Sequence, residues 1–203
     1  MTKHIMVDIE TLGTRPDKHH LIQLAAVAFD LETGDRNPDV FNRCLQPSEF
    51  RVTEQSTLDW WKANKGRAAI LRHIQANLEP IRPTLLDFVE WVRRVSPNEA
   101  PVFWGNSPGF DWFFLHGYFT DYGVISPFHY TRHREVKTHV QACTLRDFKD
   151  VEKPHRQYSH NAVFDCVYQI ELVCMHHQHR LKLDDLMLDR QLGVKPTDDD
   201  IPF

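Results

Sequence analysis

The sequence of 203 residues lacks a paired cysteine pattern, a long apolar run and an excess of basic charge. Its four cysteines form no Cys-x-x-Cys pair, so neither a disulfide framework nor a zinc knuckle is expected. No stretch approaches the length of about 20 apolar residues that a membrane-spanning helix needs. The opening residues Met1-Thr2-Lys3-His4 leave no room for a signal peptide before the first strand. We therefore expect a protein of the reducing cytoplasm with no membrane partner.

The charge balance limits how the chain can bind nucleic acid. Its net charge is −4, from 28 acidic and 24 basic residues, so no overall positive field attracts a polyanion. Any such binding must be local, in a groove or through a bound cation. The length fits one domain, or one domain with a tail, and a hydrophobic content of 41% is enough for a sizeable core.

Hydrophobic periodicity predicts three strands followed by helices that alternate with strands. The strands are expected at 4–10, 20–31, 40–45 and 101–105. The helices are expected at 53–64, 67–78, 83–95, 110–122 and 160–177, with a further amphipathic piece at 181–192. A loop, a strand and a short helix are expected within 128–144. The pattern predicts an α/β fold with a mixed sheet, an antiparallel meander plus parallel strands, flanked by helices.

The first strand carries two carboxylates, Asp8 and Glu10, in the stretch Ile5-Met6-Val7-Asp8-Ile9-Glu10-Thr11. Side chains two residues apart in a strand point to the same face, so these carboxylates repel each other unless a cation lies between them. A hard divalent ion with oxygen ligands resolves that repulsion. Sites in such sheets lie at strand ends near the reversal of strand order, which places both carboxylates and the turn at 105–111 in one cleft.

Three further groups can complete this site. Asp111 lies at the start of a helix that follows a strand, and Asp165 lies in the first turns of a late helix. His160 precedes Asp165 by five residues, too far to share a helical face, so we place it in the loop before the helix, over the site. Each of them alone has an ordinary interpretation, as a residue that favours the helix dipole or as a surface histidine. Together with the first two carboxylates they form a specific set.

Three motifs in this order, Asp8-x-Glu10, the Asn106…Phe110-Asp111 turn and His160-x4-Asp165, resemble those of the DEDDh exonucleases, the DnaQ-like branch of the ribonuclease H fold. The segments at 57–62, 105–111, 134–138 and 160–166 are similar to the phage DexA exonuclease family and to RNase AS-type exoribonucleases. Those relatives usually carry Asp and Arg where this chain has Glu135 and Lys137. Lys137 would lose the bidentate phosphate contact that an arginine makes.

The resemblance implies a ribonuclease H-like exonuclease domain at 1–180, with a helical extension and acidic tail at 181–203. The implied activity is hydrolysis of phosphodiester bonds from the 3′ end of single-stranded nucleic acid, with two divalent ions, Mg²⁺ or Mn²⁺. The implied metal ligands are Asp8, Glu10, Asp111 and Asp165. His160 would be the general base, since an ordinary imidazole pKa near 6.5 suits proton transfer at neutral pH. The residues that would hold the terminal nucleotide are Thr11, Leu12, Asn106 and Phe110.

Some aromatic residues and histidines have structural interpretations beside functional ones. Phe110 offers a stacking face for a base but is equally compatible with core packing. Of the neighbours Trp60 and Trp61, one is expected to pack inward and the other to be partly exposed. The histidines of the stretch 175–180 have no cysteine partner and are expected at a helix C-terminus, so we interpret them as a surface cap.

The chain ends in a run of aspartates with an apolar hook: Asp198, Asp199, Asp200, Ile201, Pro202 and Phe203. This ending resembles the C-terminal tip of bacterial single-stranded-DNA-binding protein, which docks into basic pockets on replication and repair proteins. An aromatic anchor with a free carboxylate is typical of such docking. The resemblance implies host genome-maintenance proteins that bind this tip as partners.

The residues leave several activities open. The similarity to DexA and the tail favour single-stranded DNA, whereas the similarity to RNase AS favours RNA with 3′ overhangs. A non-enzymatic adaptor that presents the tail to replication or repair proteins is an alternative of another class. It is disfavoured because an inactive adaptor has no chemical need for all five site groups. A proofreading subunit is a further possibility, but nothing outside the nuclease region resembles a polymerase-binding domain.

Overall fold

The structure, a computed structural model, describes residues 4–97, 100–107, 109–154 and 160–191. The strands are β1 (His4–Thr11), β2 (Leu21–Phe29), β3 (Phe41–Leu45), β4 (Leu78–Glu79), β5 (Val102–Gly105) and β6 (His133–Glu135). The helices are α1 (Gln55–Lys62), α2 (Lys65–Ala76), α3 (Ile81–Val95), α4 (Phe110–Asp121), α5 (Val136–Thr144) and α6 (Ala162–Gln191). The predicted tail at 198–203 lies outside the described residues.

A six-stranded sheet with the order β4-β3-β2-β1-β5-β6 forms the centre of the fold. The strands β1, β2 and β3 form the predicted antiparallel meander. After the helical crossover, β5 returns parallel to β1, and β6 lies parallel to β5. The predicted mixed sheet is therefore confirmed. The short edge strand β4, parallel to β3, was not predicted, because two residues carry no periodicity.

Successive side chains of β1 point to opposite faces of the sheet, so they pack into two different cores. Ile5 and Val7 pack into one core with α3 and α4. Met6 packs into a second core, on the other face of the sheet, with residues of α5 and α6 such as Cys166. Asp8 and Glu10 continue the row of Met6, because side chains two apart share a face. The first two carboxylates are therefore directed toward the α6 layer.

The last helix differs most from its prediction. α6 runs without interruption from Ala162 to Gln191, so the predicted end at 177 and the separate piece at 181–192 are wrong. No proline or glycine occurs in this stretch, and nothing else in it stops a helix. The helix also crosses residue 180, and the division of the chain into 1–180 and 181–203 stays a prediction.

The histidines of α6 are therefore inside a helix and not at its end. His176 is buried, and its Nε2 donates to the Glu152 carbonyl oxygen at 2.9 Å. The interpretation of this stretch as a surface cap is wrong, because it depended on a helix end that does not exist. Within the described ranges, no helix combines the length and the hydrophobicity needed to cross a membrane.

Candidate active site

Three of the predicted carboxylates meet where β1 faces α6. Carboxylate oxygens of Asp8, Glu10 and Asp165 lie within 4.8 Å of one another. Glu10 and Asp165 are buried. Asp165 lies in the first turn of α6, as expected from the sequence. The sheet and the helix thus bring three carboxylates together as potential oxygen ligands.

The fourth carboxylate, Asp111, comes from the first turn of α4 and is also buried. The backbone N–H of Asn106 donates to its Oδ2 at 3.2 Å. A Cβ at Gly105 would lie 3.0 Å from the same oxygen, a tight contact that the carboxylate could relieve only by shifting, so glycine favours this close approach at the end of β5. Gly109, with φ of 82°, is the N-cap of the helix that carries Asp111. The turn between β5 and α4 therefore fixes this carboxylate at the strand end.

The other three carboxylates repel the charge of Asp8. Burial raises the pKa of Asp8 well above its ordinary value, and the charges of Asp111, Glu10 and Asp165 raise it further. Burial likewise raises the pKa of Asp111 to about 7. A buried set of oxygen donors that cannot all carry their charge unaided fits a hard divalent cation such as Mg²⁺ or Mn²⁺.

The raised pKa values predict how stability depends on pH when divalent ions are removed. The unfolded carboxyl groups have a pKa of 3.8, and Asp111 titrates near 7 in the folded chain. Between these values the folded chain holds more protons, so the free energy of unfolding is expected to fall as pH rises, by on the order of a few kcal/mol. Urea titrations in EDTA across this range measure the fall.

Two controls separate this effect from other titrating groups. Asp111→Asn is expected to flatten the loss of stability between about pH 4 and 7, since the asparagine does not titrate. Mn²⁺ is expected to stabilise the wild-type chain more at the upper end of the range than at the lower end. An equal pH slope in the wild type and in Asp111→Asn would contradict the raised pKa of Asp111.

His160 lies in the loop that leads into α6, as predicted. Its backbone adopts the left-handed conformation, with φ of 62°, and its N–H donates to Asp165 Oδ2 at 3.0 Å. Its ring meets Trp60 edge-to-face, with 4.8 Å between ring centroids, and lies 6.4 Å from Trp61. Trp61 is buried and Trp60 is 40% exposed, so the prediction for this pair is confirmed. The His160 ring is thus packed against α1, and its backbone is bonded to a carboxylate of the cluster.

The sequence did not reveal Gln169, which is buried one turn after Asp165 on α6. Its Nε2 donates to Asp8 Oδ1 at 2.7 Å, which partly offsets the repulsion on Asp8. Its Oε1 is buried without a hydrogen-bond partner among the described residues, so a polar group in the site is needed to satisfy it. The spacing of four residues from Asp165 was the only signal available in the sequence.

The residues predicted to hold the terminal nucleotide have different surroundings. The Thr11 hydroxyl donates to the Gly13 carbonyl oxygen at 2.7 Å, and the Thr11 carbonyl oxygen accepts from the Trp61 indole at 3.0 Å. Leu12 is buried in a small core beside Trp61. Asn106 is half-buried, and Phe110 is half-buried against Phe114, with 4.9 Å between ring centroids. A nucleotide-binding role for these four residues stays a prediction.

A cavity of about 270 Å³ lies beside this site. Phe113, which is 59% exposed, lines it together with Trp112, Arg134 and Glu135. Glu135 caps α5 by accepting from the Thr138 N–H at 2.6 Å. Its charge contributes to the raised pKa of Asp111, which places the cavity next to the carboxylates. The segment with Glu135 in place of the usual aspartate is therefore part of the wall around the site.

Comparison with models of protein families finds a match over residues 3–176 to the family described as "3'-5' exoribonuclease Rv2179c-like domain". The chain is similar to an oligoribonuclease of Haemophilus influenzae, with 23% identity over 184 residues that cover 89% of this chain and 96% of that protein. It is also similar to the 3'-5' DNA exonuclease Cap18 of Escherichia coli, with 28% identity over 179 residues, which cover 83% and 88% of the two chains.

Among solved structures, the chain resembles exonuclease I of E. coli in complex with a dT13 oligonucleotide, with a TM-score of 0.67 and 14% sequence identity. The match covers 93% of this chain and 44% of exonuclease I, so the chain spans less than half of that protein. At this identity the likeness shows the fold. The predicted fold class, a ribonuclease H-like mixed sheet flanked by helices, is confirmed.

Proposed function

This chain belongs to the family of Rv2179c-like 3′–5′ exoribonuclease domains, and we propose that it removes nucleotides from the 3′ end of single-stranded nucleic acid by metal-dependent hydrolysis. The observation that carries the proposal is the buried cluster in which oxygens of Asp8, Glu10 and Asp165 approach within 4.8 Å of one another. Such a cluster is electrostatically unfavourable as a purely structural feature. Divalent cations bound for catalysis would balance the negative charge of the cluster.

The four carboxylates would hold two divalent ions, Mg²⁺ or Mn²⁺. When bound, such ions supply Lewis-acid stabilisation of the charge that develops as a phosphodiester is hydrolysed. Gln169 would keep one oxygen of Asp8 fixed, because its amide donates to Asp8 Oδ1. The backbone N–H of His160 orients Asp165 in the same way. These hydrogen bonds hold the ligands in position before the cations arrive.

His160 would act as the general base. The oxygen of a water attacks the terminal phosphorus, and the imidazole takes a proton from that water. The bond between phosphorus and the 3′ oxygen of the preceding nucleotide breaks, and this oxygen takes up a proton to become the new 3′ hydroxyl. The product is a nucleoside 5′-monophosphate and a strand shorter by one nucleotide. Trp60 would hold the ring of His160 over the cluster.

The surroundings of the cluster support a single-stranded substrate. Phe113 is an exposed aromatic side chain on the α4 side of the site. Base stacking on such rings is sequence-tolerant, as removal of successive nucleotides requires. Arg134 lines the cavity beside Asp111 and offers a positive charge to a phosphate. A local arrangement of this kind lets an acidic protein hold a polyanion.

We propose single-stranded DNA as the preferred substrate, with RNA carrying a free 3′ end as the alternative. Of the two relatives described above, the DNA exonuclease has the higher identity, 28% against 23%, whereas the oligoribonuclease match covers more of this chain, 89% against 83%. The description of the family favours RNA. The 2′-hydroxyl is the group by which a protein distinguishes the two.

A matched pair of 5′-labelled oligonucleotides, one DNA and one RNA of the same base sequence, tests this choice. With Mn²⁺ present, we expect stepwise shortening of both strands and a higher kcat/KM for DNA. A higher kcat/KM for RNA would assign the alternative. Substrates blocked by a 3′-phosphate control for the requirement of a free 3′ end.

Gln169→Leu is expected to raise the Mn²⁺ concentration for half-maximal activity by about tenfold, because Asp8 loses the hydrogen bond that orients it. The rate at saturating Mn²⁺ should change much less. Gln178→Leu is a matched control on the same helix, since Gln178 Nε2 donates to the Glu32 carbonyl oxygen at 2.8 Å, away from the cluster. An unchanged Mn²⁺ requirement in Gln169→Leu would exclude a role for this side chain in ligand positioning.

The tail stays a separate prediction, because 198–203 lies outside the described residues. Docking of replication or repair proteins predicts that purified proteins known to bind the tip of single-stranded-DNA-binding protein capture the full chain. A chain without Phe203 should be captured far less, since the aromatic anchor is lost. Equal capture of both chains, or of neither, would refute docking. Membership in an exonuclease family argues against an adaptor without activity.

A further inference from the structure

A second group of potential metal ligands lies between α5 and the C-terminal half of α6. Its ligand atoms are nitrogen and sulfur. One ligand atom each from His139, Cys143 and His177 lies within 4.8 Å of the others. The Cys143 Sγ is 3.5 Å from His139 Nε2, and the two imidazole centroids are 5.6 Å apart. The Cys143 side chain is buried, and the two histidines are half-buried.

The packing of α5 against α6 creates this group. His139 and Cys143 are four residues apart on α5, so they lie on one face of that helix. His177 comes from α6 and faces them. The Trp104 ring packs edge-to-face on His139, with 5.0 Å between centroids, which fixes the imidazole from the sheet side. Three side chains from two helices are thus directed toward one point.

This point is separate from the carboxylate cluster. His177 lies 12 residues after Asp165 on the same helix, a distance of about 18 Å at a rise of 1.5 Å per residue. Neither histidine nor the cysteine belongs to the three motifs of the exonuclease site. A cation held here could not take part in hydrolysis at the carboxylates.

We propose that His139, Cys143 and His177 bind a borderline-soft divalent cation of the zinc class. Nitrogen and thiolate ligands select this class, whereas the carboxylates near β1 suit Mg²⁺ or Mn²⁺. In a tetrahedral site with a metal–sulfur distance of about 2.3 Å and a metal–nitrogen distance of about 2.0 Å, a sulfur and a nitrogen ligand are about 3.5 Å apart. The Cys143–His139 pair already has this spacing.

The protonation of the ligands is consistent with such a site. Burial lowers the pKa of His139 to about 4, so its ring is neutral at neutral pH and has a lone pair to donate. Burial raises the pKa of the Cys143 thiol, because an isolated thiolate would be unfavourable there. A divalent cation supplies the missing positive charge. As the sulfur–metal bond forms, the thiol proton leaves to the solvent.

The neighbourhood provides access and a fourth ligand position. Cys143 lines a cavity of about 340 Å³ together with Glu152, His176 and His179. His176 already donates to the Glu152 carbonyl oxygen, so the three-residue set would leave one position for a water from the cavity. The bound cation would connect α5 to α6, the helix that carries Asp165 and Gln169. Its role would be to stabilise this layer.

Cobalt is the spectroscopic probe for the site. The full chain is saturated with Mg²⁺ to occupy the carboxylate cluster and is then titrated with CoCl₂. We expect a thiolate-to-cobalt charge-transfer band that saturates at one equivalent and disappears when ZnSO₄ is added, because zinc binds the same ligands more tightly. Zinc should also raise the Tm of the wild-type chain.

Variants assign the band to these ligands. It should be lost in Cys143→Ser and strongly weakened in His177→Ala. It should persist in Cys174→Ser, a matched control whose buried sulfur on α6 lies near the Asp30 carbonyl oxygen at 3.8 Å, and in Asp8→Asn. Absence of the band in the wild type would overturn the proposal, and so would a band that survives in Cys143→Ser. If Cys143→Ser does not fold, the wild-type titration and His177→Ala decide.

Discussion

Replacing Asp8 with asparagine is expected to lower the rate of 3′-end hydrolysis by about a thousandfold, since one ligand of the cations is worth several kcal/mol of transition-state stabilisation. The same change should leave the metal-free chain at least as stable as the wild type. Burial and three neighbouring carboxylates disfavour the charged form of Asp8, and asparagine removes that charge. Its side-chain oxygen can still accept from Gln169. Single-turnover rates with Mn²⁺ and urea titrations in EDTA measure the two effects.

Asp59→Asn is the matched control for this experiment. Asp59 also accepts a glutamine hydrogen bond, from Gln55 Nε2 at 2.7 Å, but it is exposed on α1. Its replacement should leave the rate within a small factor of the wild-type rate. The free energy of unfolding should stay close to that of the wild type. If the free energy of unfolding of Asp8→Asn fell by as much as its transition-state stabilisation, Asp8 would have a structural role. That result would contradict the proposed metal site.

Replacing His160 with asparagine is expected to lower kcat by roughly a hundredfold or more, the ordinary range for loss of a general base. Asparagine is the replacement of choice because it tolerates the left-handed backbone found at this position, with φ of 62°. The backbone N–H that holds Asp165 is unchanged by the substitution. The Mn²⁺ concentration for half-maximal activity should therefore stay close to that of the wild type.

This separation of effects distinguishes a base from a positioning residue. Loss of the imidazole alone should lower kcat without a comparable change in KM or in metal requirement. His129→Asn, on the exposed loop before β6, provides the control for removal of a histidine elsewhere. Full activity in His160→Asn, or a loss that excess Mn²⁺ restores, would exclude His160 as the base.

The sequence predicted the parts of the site that depend on strand alternation and helix starts. Asp8 and Glu10 share a face because the side-chain period of a strand is two, and nothing in tertiary structure alters that. Asp111 and Asp165 were found because each lies in the first turn of a helix near a strand end or loop. The placement of His160 followed from its distance to Asp165, since five residues exceed the reach of one helical face.

Other features depend on contacts that no local pattern encodes. Gln169 became recognisable only when β1 brought Asp8 against α6. The proximity of Cys143 and His177, 34 residues apart, required the packing of α5 on α6, and it corrects the interpretation of the histidines as a surface cap. The length of α6 was underestimated because a cluster of histidines resembles a C-terminal cap. The paired strand β4 is too short to produce any sequence signal.

The central claim is that the carboxylate cluster and His160 form a metal-dependent 3′–5′ exonuclease site. A 5′-labelled single-stranded oligonucleotide, incubated with the wild-type chain and Mn²⁺ and resolved over time, tests it most directly. We predict a regular ladder that shortens from the 3′ end, with no shortening in EDTA and almost none with Asp8→Asn. No shortening by the wild type, internal cleavage, or a ladder that persists in EDTA or in Asp8→Asn would contradict it.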